Sequence, residues 1–150
     1  MKIQTILCPT DFSEPADHAL NAAQSLAQQF DARLVVVHVI EPMQVVPAPQ
    51  VGTTPAFDIS HYLGAMREHG ERMLVERITT LRDAGIDADW RLAEGTVADK
   101  VVELAVTEEV DLIVIATHGR TGFKRFFLGS VADRVVHHAA CPVLTIKEPR

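Results

Sequence analysis

Only two cysteines occur in the 150 residues, Cys8 and Cys141, far apart and in no CxxC pair. That excludes a disulfide framework and a cysteine-based zinc site, and reads both thiols as buried. No apolar run approaches the ~20 residues a bilayer span requires. Positive charge is scarce, with 14 Lys and Arg against 20 Asp and Glu and a net charge of −6. A broad nucleic-acid or membrane-surface role needs a wide basic face, so both are disfavoured. The opening MKIQTILCPTDF has one lysine and then a polar break, unlike a signal peptide, so the expectation is a cytoplasmic chain. Nor is there a GxSxG or HExxH pattern.

What is present is a 47% hydrophobic chain of a length that suits one domain over residues 1–150. Ile3 to Cys8 reads as a strand ending at Pro9. Glu14 to Phe30 places Ala16, Ala19, Leu20, Ala23, Leu26, Ala27 and Phe30 on one helical face, with Ser13 as N-cap and Pro15 in the first turn. RLVVVHVI, Arg33 to Ile40, is β-branched and almost continuously apolar, as a strand covered on both faces would be. Glu41 to Phe57 carries four prolines and Gly52 and reads as a loop. A long helix follows from Ile59 to Ala84, with Leu63, Met66, Met73, Leu74, Ile78 and Leu81 inward and Gly85 as C-cap. Ile86 to Ala93 alternates like a strand nearer an edge. Thr96 and Asp99 form a capping-box pattern for a helix from Val97 to about Glu108. Asp111 to Ala116 is a buried strand, Ser130 to Ala139 a helix, and Pro142 to Lys147 a last strand.

The order β-α-β-α-β-α-β-α-β predicts an α/β fold, a doubly wound, five-stranded, mainly parallel sheet with helices on both faces. Such sheets bind ligands at the carboxyl ends of strands, where the winding reverses. Three stretches leave carboxyl ends there: Pro9-Thr10-Asp11, Val39-Ile40-Glu41, and the loop after the fourth strand.

That loop is unusual for an acidic chain. Between Leu112 and Ala132 there is no Asp or Glu, but there are Arg120, Lys124, Arg125 and three glycines. Gly119, Gly122 and Gly129 allow close backbone approach and positive φ. Gly129-Ser130 stands directly before a helix, whose first N–H groups and dipole favour an anion. Together these are the parts of a polyphosphate cradle. Each part also has a plain structural reading: a tight turn, a helix cap, a solvated basic face. The loop is neither a Walker A motif nor GxGxxG.

ILCPTDFS, VVHVIEP, DLIVIATHGRTGFKRFFLGSVADRVV and CPVLTIK, in this order and spacing, resemble the universal stress protein family along essentially the whole chain. The resemblance implies a Rossmann-like fold of the adenine nucleotide alpha-hydrolase type. ATP-binding members carry G-x2-G-x9-G-(S/T) after the fourth strand. Here Gly119, Gly129 and Ser130 match, and Ala116 stands where the first glycine would be. Alanine is tolerable there in an extended conformation and strained at positive φ. The resemblance implies an ATP, ADP or AMP site made by Pro9, Thr10, Asp11, Val39, Ala116, His118, Gly119, Arg120, Gly129, Ser130 and Val131. Asp11 would face the ribose or a phosphate-bound Mg²⁺, and the Val39 backbone would meet the adenine edge. On the residues alone, Asp11 reads equally as an acid complementing a helix dipole, and Val39 as a core valine.

His118 at the mouth of the proposed site could touch a phosphate, act as a general acid, or simply pack at a strand end. His137 and His138 are adjacent on a helix and do not form an i, i+4 metal pair. His61 and His69 read as exposed. With no positioned base, a stress-response or regulatory nucleotide binder is favoured over an enzyme. The alternatives are a slow ATP hydrolase and an interaction module that binds no nucleotide. Family members commonly form homodimers through the last strand, which makes Val143, Leu144, Thr145 and Ile146 the interface candidates. A plain sheet edge blunted by Lys147 and Pro149 is the other reading.

Overall fold

The computed structural model describes residues 2–42, 59–119 and 128–147. Five strands, β1 (Thr5–Pro9), β2 (Arg33–Ile40), β3 (Ala88–Glu94), β4 (Leu112–Ala116) and β5 (Val143–Ile146), alternate with four helices, α1 (Glu14–Phe30), α2 (Ile59–Asp83), α3 (Val97–Thr107) and α4 (Ser130–His138). The sheet order is β3-β2-β1-β4-β5, and every neighbouring pair is parallel. β1 begins two residues later than the sequence predicts and takes in Pro9.

Alternation sorts the strand residues onto two covered faces. Ile6, Cys8, Leu34, Val36, Leu112 and Val114 pack under α1 and α2 through Ala19, Ala23, Leu74 and Ile78. Leu7, Val35, Val37, Ile113 and Ile115 pack under α3 and α4 through Ala98, Val101, Ala132 and Val135. The unbroken apolar run of β2 follows from this double covering. Leu63, Met66 and Met73 on α2 are only half-buried, and Gly85 follows the helix with φ 81° as a left-handed cap.

Two local expectations are corrected. Thr96 occupies the N-cap of α3 but makes no side-chain cap bond. Asp99 pairs with Arg134 of α4, and Glu41, beyond the end of β2, accepts the Val97 N–H at 3.2 Å. The cap therefore comes from 56 residues away, where a local motif cannot see it. Cys8 is fully buried as expected, whereas Cys141 is partly exposed.

The winding reverses between β1 and β4, and their pairing there is short. Only Ile6↔Leu112 and Leu7↔Ile113 are in register. At the lower end Asp111 ties the strands, its N–H donating to the Thr5 carbonyl and its Oδ2 accepting from Gln4 and Thr5. At the upper end the ladder stops for a covalent reason. Thr10 N–H donates to Val37 on β2, so by alternation Pro9 turns its peptide toward β4. Proline has no N–H to continue that ladder. The two strands therefore part above Leu7 and Ile113.

Candidate functional site

A cleft of about 450 Å³ opens where β1 and β4 part. Its walls bring together Pro9, Thr10, Asp11, Val39, Ala116, His118, Gly119, Gly129, Ser130 and Val131. Every sequence-predicted site residue is thus assembled except Arg120, which lies outside the described residues, as do Gly122, Lys124 and Arg125.

The β1–α1 turn is tightly fastened. Asp11 Oδ1 accepts from the Ser13 N–H at 3.0 Å and from the Ser13 hydroxyl at 2.5 Å. Ser13 in turn caps α1 by accepting from the Ala16 N–H. Asp11 therefore does complement the α1 dipole. Its other oxygen faces across the cleft, because a Cβ built on Gly119 would lie 2.6 Å from Asp11 Oδ2. One carboxylate thus fastens the turn and also borders the cleft.

On β2, the Val37 carbonyl points toward β1. Alternation gives Val39 the same direction, two residues beyond the last β1 partner. The Val39 peptide N–H and C=O therefore address the cleft side by side, while its side chain joins the core. The side chain is thus a core valine, while the residue also lines the cleft.

The two motif glycines act through close approach. Gly129 has φ −61°, and a Cβ there would meet the Thr117 carbonyl at 2.8 Å. Positive φ, the freedom expected at Gly119 and Gly129, is found at neither. The Gly129 N–H is spent on Thr117 O at 2.7 Å. Gly129, not Ser130, is the N-cap of α4, and it supplies no side-chain cap. The N–H groups of Ser130 and Val131 head the helix without an intrahelical acceptor and line the cleft. Ala116 is extended within β4, in register with Ile146, so its methyl carries no backbone strain.

His118 is turned inward. One ring nitrogen, Nδ1, is hydrogen-bonded to Thr117 Oγ1 at 3.0 Å. The other, Nε2, is enclosed with no partner among the described residues. Cys8, beneath the cleft, is no nucleophile: burial, aided by the charge of Asp17, pushes its thiol up to about 12. Among the described residues, no group of three or more His, Cys, Asp or Glu could hold a metal ion, and no helix is long and apolar enough to cross a membrane.

On the wall opposite α4, sequence reasoning found Val39-Ile40-Glu41 and missed the rest. Phe12 and His38 line the cleft there, together with Met66 and His69 of α2. Phe12 has φ 64°, a conformation uncommon for a bulky residue. Its ring lies 4.4 Å from that of His38 and 6.3 Å from that of His69, with the Arg77 guanidinium 5.0 Å from its centre. His61 and His69 are exposed, as expected.

A sequence model described as "Universal stress protein family" matches residues 2–147. Universal stress protein MJ0531 of Methanocaldococcus jannaschii is 35% identical over 145 residues, covering 97% of this chain and 82% of that protein. Among solved structures, MJ0577, whose structure was described as a structure-based assignment of biochemical function, superposes with a TM-score of 0.86 at 26% identity, covering 100% of this chain and 99% of the other. A universal stress protein from Archaeoglobus fulgidus in complex with dAMP superposes with a TM-score of 0.63 at 25% identity, covering 98% and 100% of the two chains. Matched in sequence along nearly its whole length and in fold across the whole of it, the chain belongs to the universal stress protein family.

Proposed function

We propose that the cleft binds an adenine nucleotide, ATP or its mono- or diphosphate, and that the chain acts as a homodimeric, cytoplasmic stress-response regulator with little or no hydrolysis. One observation carries the reading. The paired N–H and C=O of Val39 lie on one side of the β1–β4 gap, and the uncapped N–H groups of Ser130 and Val131 lie on the other. An adjacent donor and acceptor complement the adenine edge, where a ring nitrogen accepts and the exocyclic amine donates. Helix-terminal N–H groups complement phosphate. Asp11, between them, is suited to accept from a ribose hydroxyl. The related A. fulgidus protein in complex with dAMP supports the same reading.

Mg²⁺ is bound mostly through substrate phosphates with one or two carboxylates. Asp11 would be the protein ligand for such an ion, and the phosphates would bring the rest. Hydrolysis would need a positioned base, and the inward-turned His118 presents none to the cleft. The dimer would form through β5, an edge strand whose Leu144 is 40% exposed.

The test is calorimetric titration of ATP, ADP and AMP into the wild-type protein, Gly129→Val and Ser130→Ala, with mass spectrometry of any small molecule released on denaturation. Wild-type affinity in the millimolar range or better, weakened in both variants, is the expected result. Binding weaker than millimolar, or variants that bind as well as wild type, overturns it.

A further inference from the structure

We propose that His38 is a positioning residue that holds the Val39 peptide edge open for a nucleobase. The inference rests on the nucleotide reading above and names a part of that site which no motif flags. The parallel ladder of β1 and β2 ends with Thr10 N–H donating to Val37 O at 2.8 Å. The next rung of a regular ladder would run from Val39 N–H to the Thr10 carbonyl. That carbonyl instead lies 2.8 Å from His38 Nδ1, which donates to it. The imidazole thus takes the acceptor that would otherwise close the site by extending the sheet across it.

The ring is held for this purpose from several sides. Phe12 packs against it at 4.4 Å, and the Phe12 N–H is tied to Thr10 Oγ1 at 3.0 Å. Across the cleft wall, α2 brings Gly70 so near that a Cβ there would lie 3.2 Å from His38 Cδ2. A side chain at position 70 would crowd the ring unless it gave way by a few tenths of an ångström. The left-handed Phe12, the buried Gly70 and the Thr10–His38 bond therefore belong to one device. His38 touches no ligand group in this account; it acts through Thr10 and Val39.

Two measurements decide it. In the ligand-free wild-type protein, hydrogen exchange followed by NMR should find the Val39 amide faster than that of Val37. Adenine nucleotide should protect it, and ribose 5-triphosphate, which lacks the base, should not. A Val39 amide already as protected as Val37 overturns the inference, whatever the nucleotide does. In the second measurement, His38→Asn keeps a donor near the Nδ1 position, whereas His38→Gln and His38→Phe do not. Calorimetry should place AMP affinity of the asparagine variant within about threefold of wild type and the other two at least about tenfold weaker, with ribose 5-triphosphate affinity unchanged in all three. Equal losses for AMP and ribose 5-triphosphate, or no loss in His38→Gln, overturn it. Failure of wild type to bind any nucleotide would instead strike the functional reading, while the ligand-free exchange comparison still judges His38.

Discussion

At the residue scale, the cleft depends on atoms that are absent. Gly119 and Gly129 are fixed by what lies 2.6 Å and 2.8 Å from their missing Cβ atoms, the Asp11 carboxylate and the Thr117 carbonyl. Gly129→Ala should therefore force the α4 N-terminus away from β4 and cost roughly 1–3 kcal/mol of stability, measured by urea unfolding, together with a loss of nucleotide affinity. Ala116→Gly, which restores the family pattern, should behave differently. Ala116 is extended, so affinity should stay within about threefold while stability falls by ~0.5–1 kcal/mol through added unfolded-state entropy. A large gain in affinity would mean that the alanine methyl obstructs the phosphates. Cys8 offers a third check. Its thiol is buried and pushed up to about 12 from an ordinary 9.0. Alkylation at pH 8 should reach Cys141 in the folded protein and Cys8 only after denaturation. Because the folded value is the higher one, the contribution of Cys8 is intact below pH 9 and drains away as pH rises from 9 toward 12.

At the scale of elements, β5 and the base of β3 carry separate predictions. Ile113 N–H donates to Pro142, and Thr117 N–H donates to Ile146, so Val143 and Thr145 turn their peptides away from β4. Thr145→Pro should leave the monomer folded, because its N–H serves no internal ladder, and should abolish the proposed dimer in analytical ultracentrifugation. An unchanged dimer would move the interface off this edge. At the base of β3, Asp89 is gripped by Arg91 and Arg33, while Glu108 binds the same two arginines. Arg91, with Arg33 in support, holds the Asp89 carboxyl down at about 2, below the usual 3.8. Its contribution is therefore complete above about pH 4 and lost as pH falls from 4 toward 2. The pair is partly solvated, so Asp89→Asn should cost about 1 kcal/mol or less at pH 6 and nothing near pH 2 in denaturant titrations.

The elements themselves were legible because their apolar periodicities are strong: RLVVVHVI could only be a strand covered twice, and the α1 stripe could only be a helix face. The α4 side of the cleft was legible because one loop concentrates its glycines. Most of the opposite wall was not. Phe12 is not a residue type that announces a left-handed backbone. His38 sits inside a strand otherwise made for the core. Gly70 interrupts no pattern, and Glu41 caps a helix 56 residues away. Each of these depends on what a distant segment brings, which local pattern cannot encode.

At the scale of the whole molecule, a ligand that binds only the folded form raises the midpoint of unfolding. At a hundredfold excess over Kd the gain is about 2.7 kcal/mol, or roughly 5–10 °C for a chain of this size. A thermal scan with and without ATP should find it, and no shift at millimolar ATP would contradict nucleotide binding. The rise should also be uneven across the fold. β2 and β3 share seven paired positions, whereas β1 and β4 share two. Pulled from its two ends, the protein should tear first along that thin line between β1 and β4. A small molecule seated with one end on β2 and the other on α4 would then work as a rivet, and the force needed to split the sheet would report its presence.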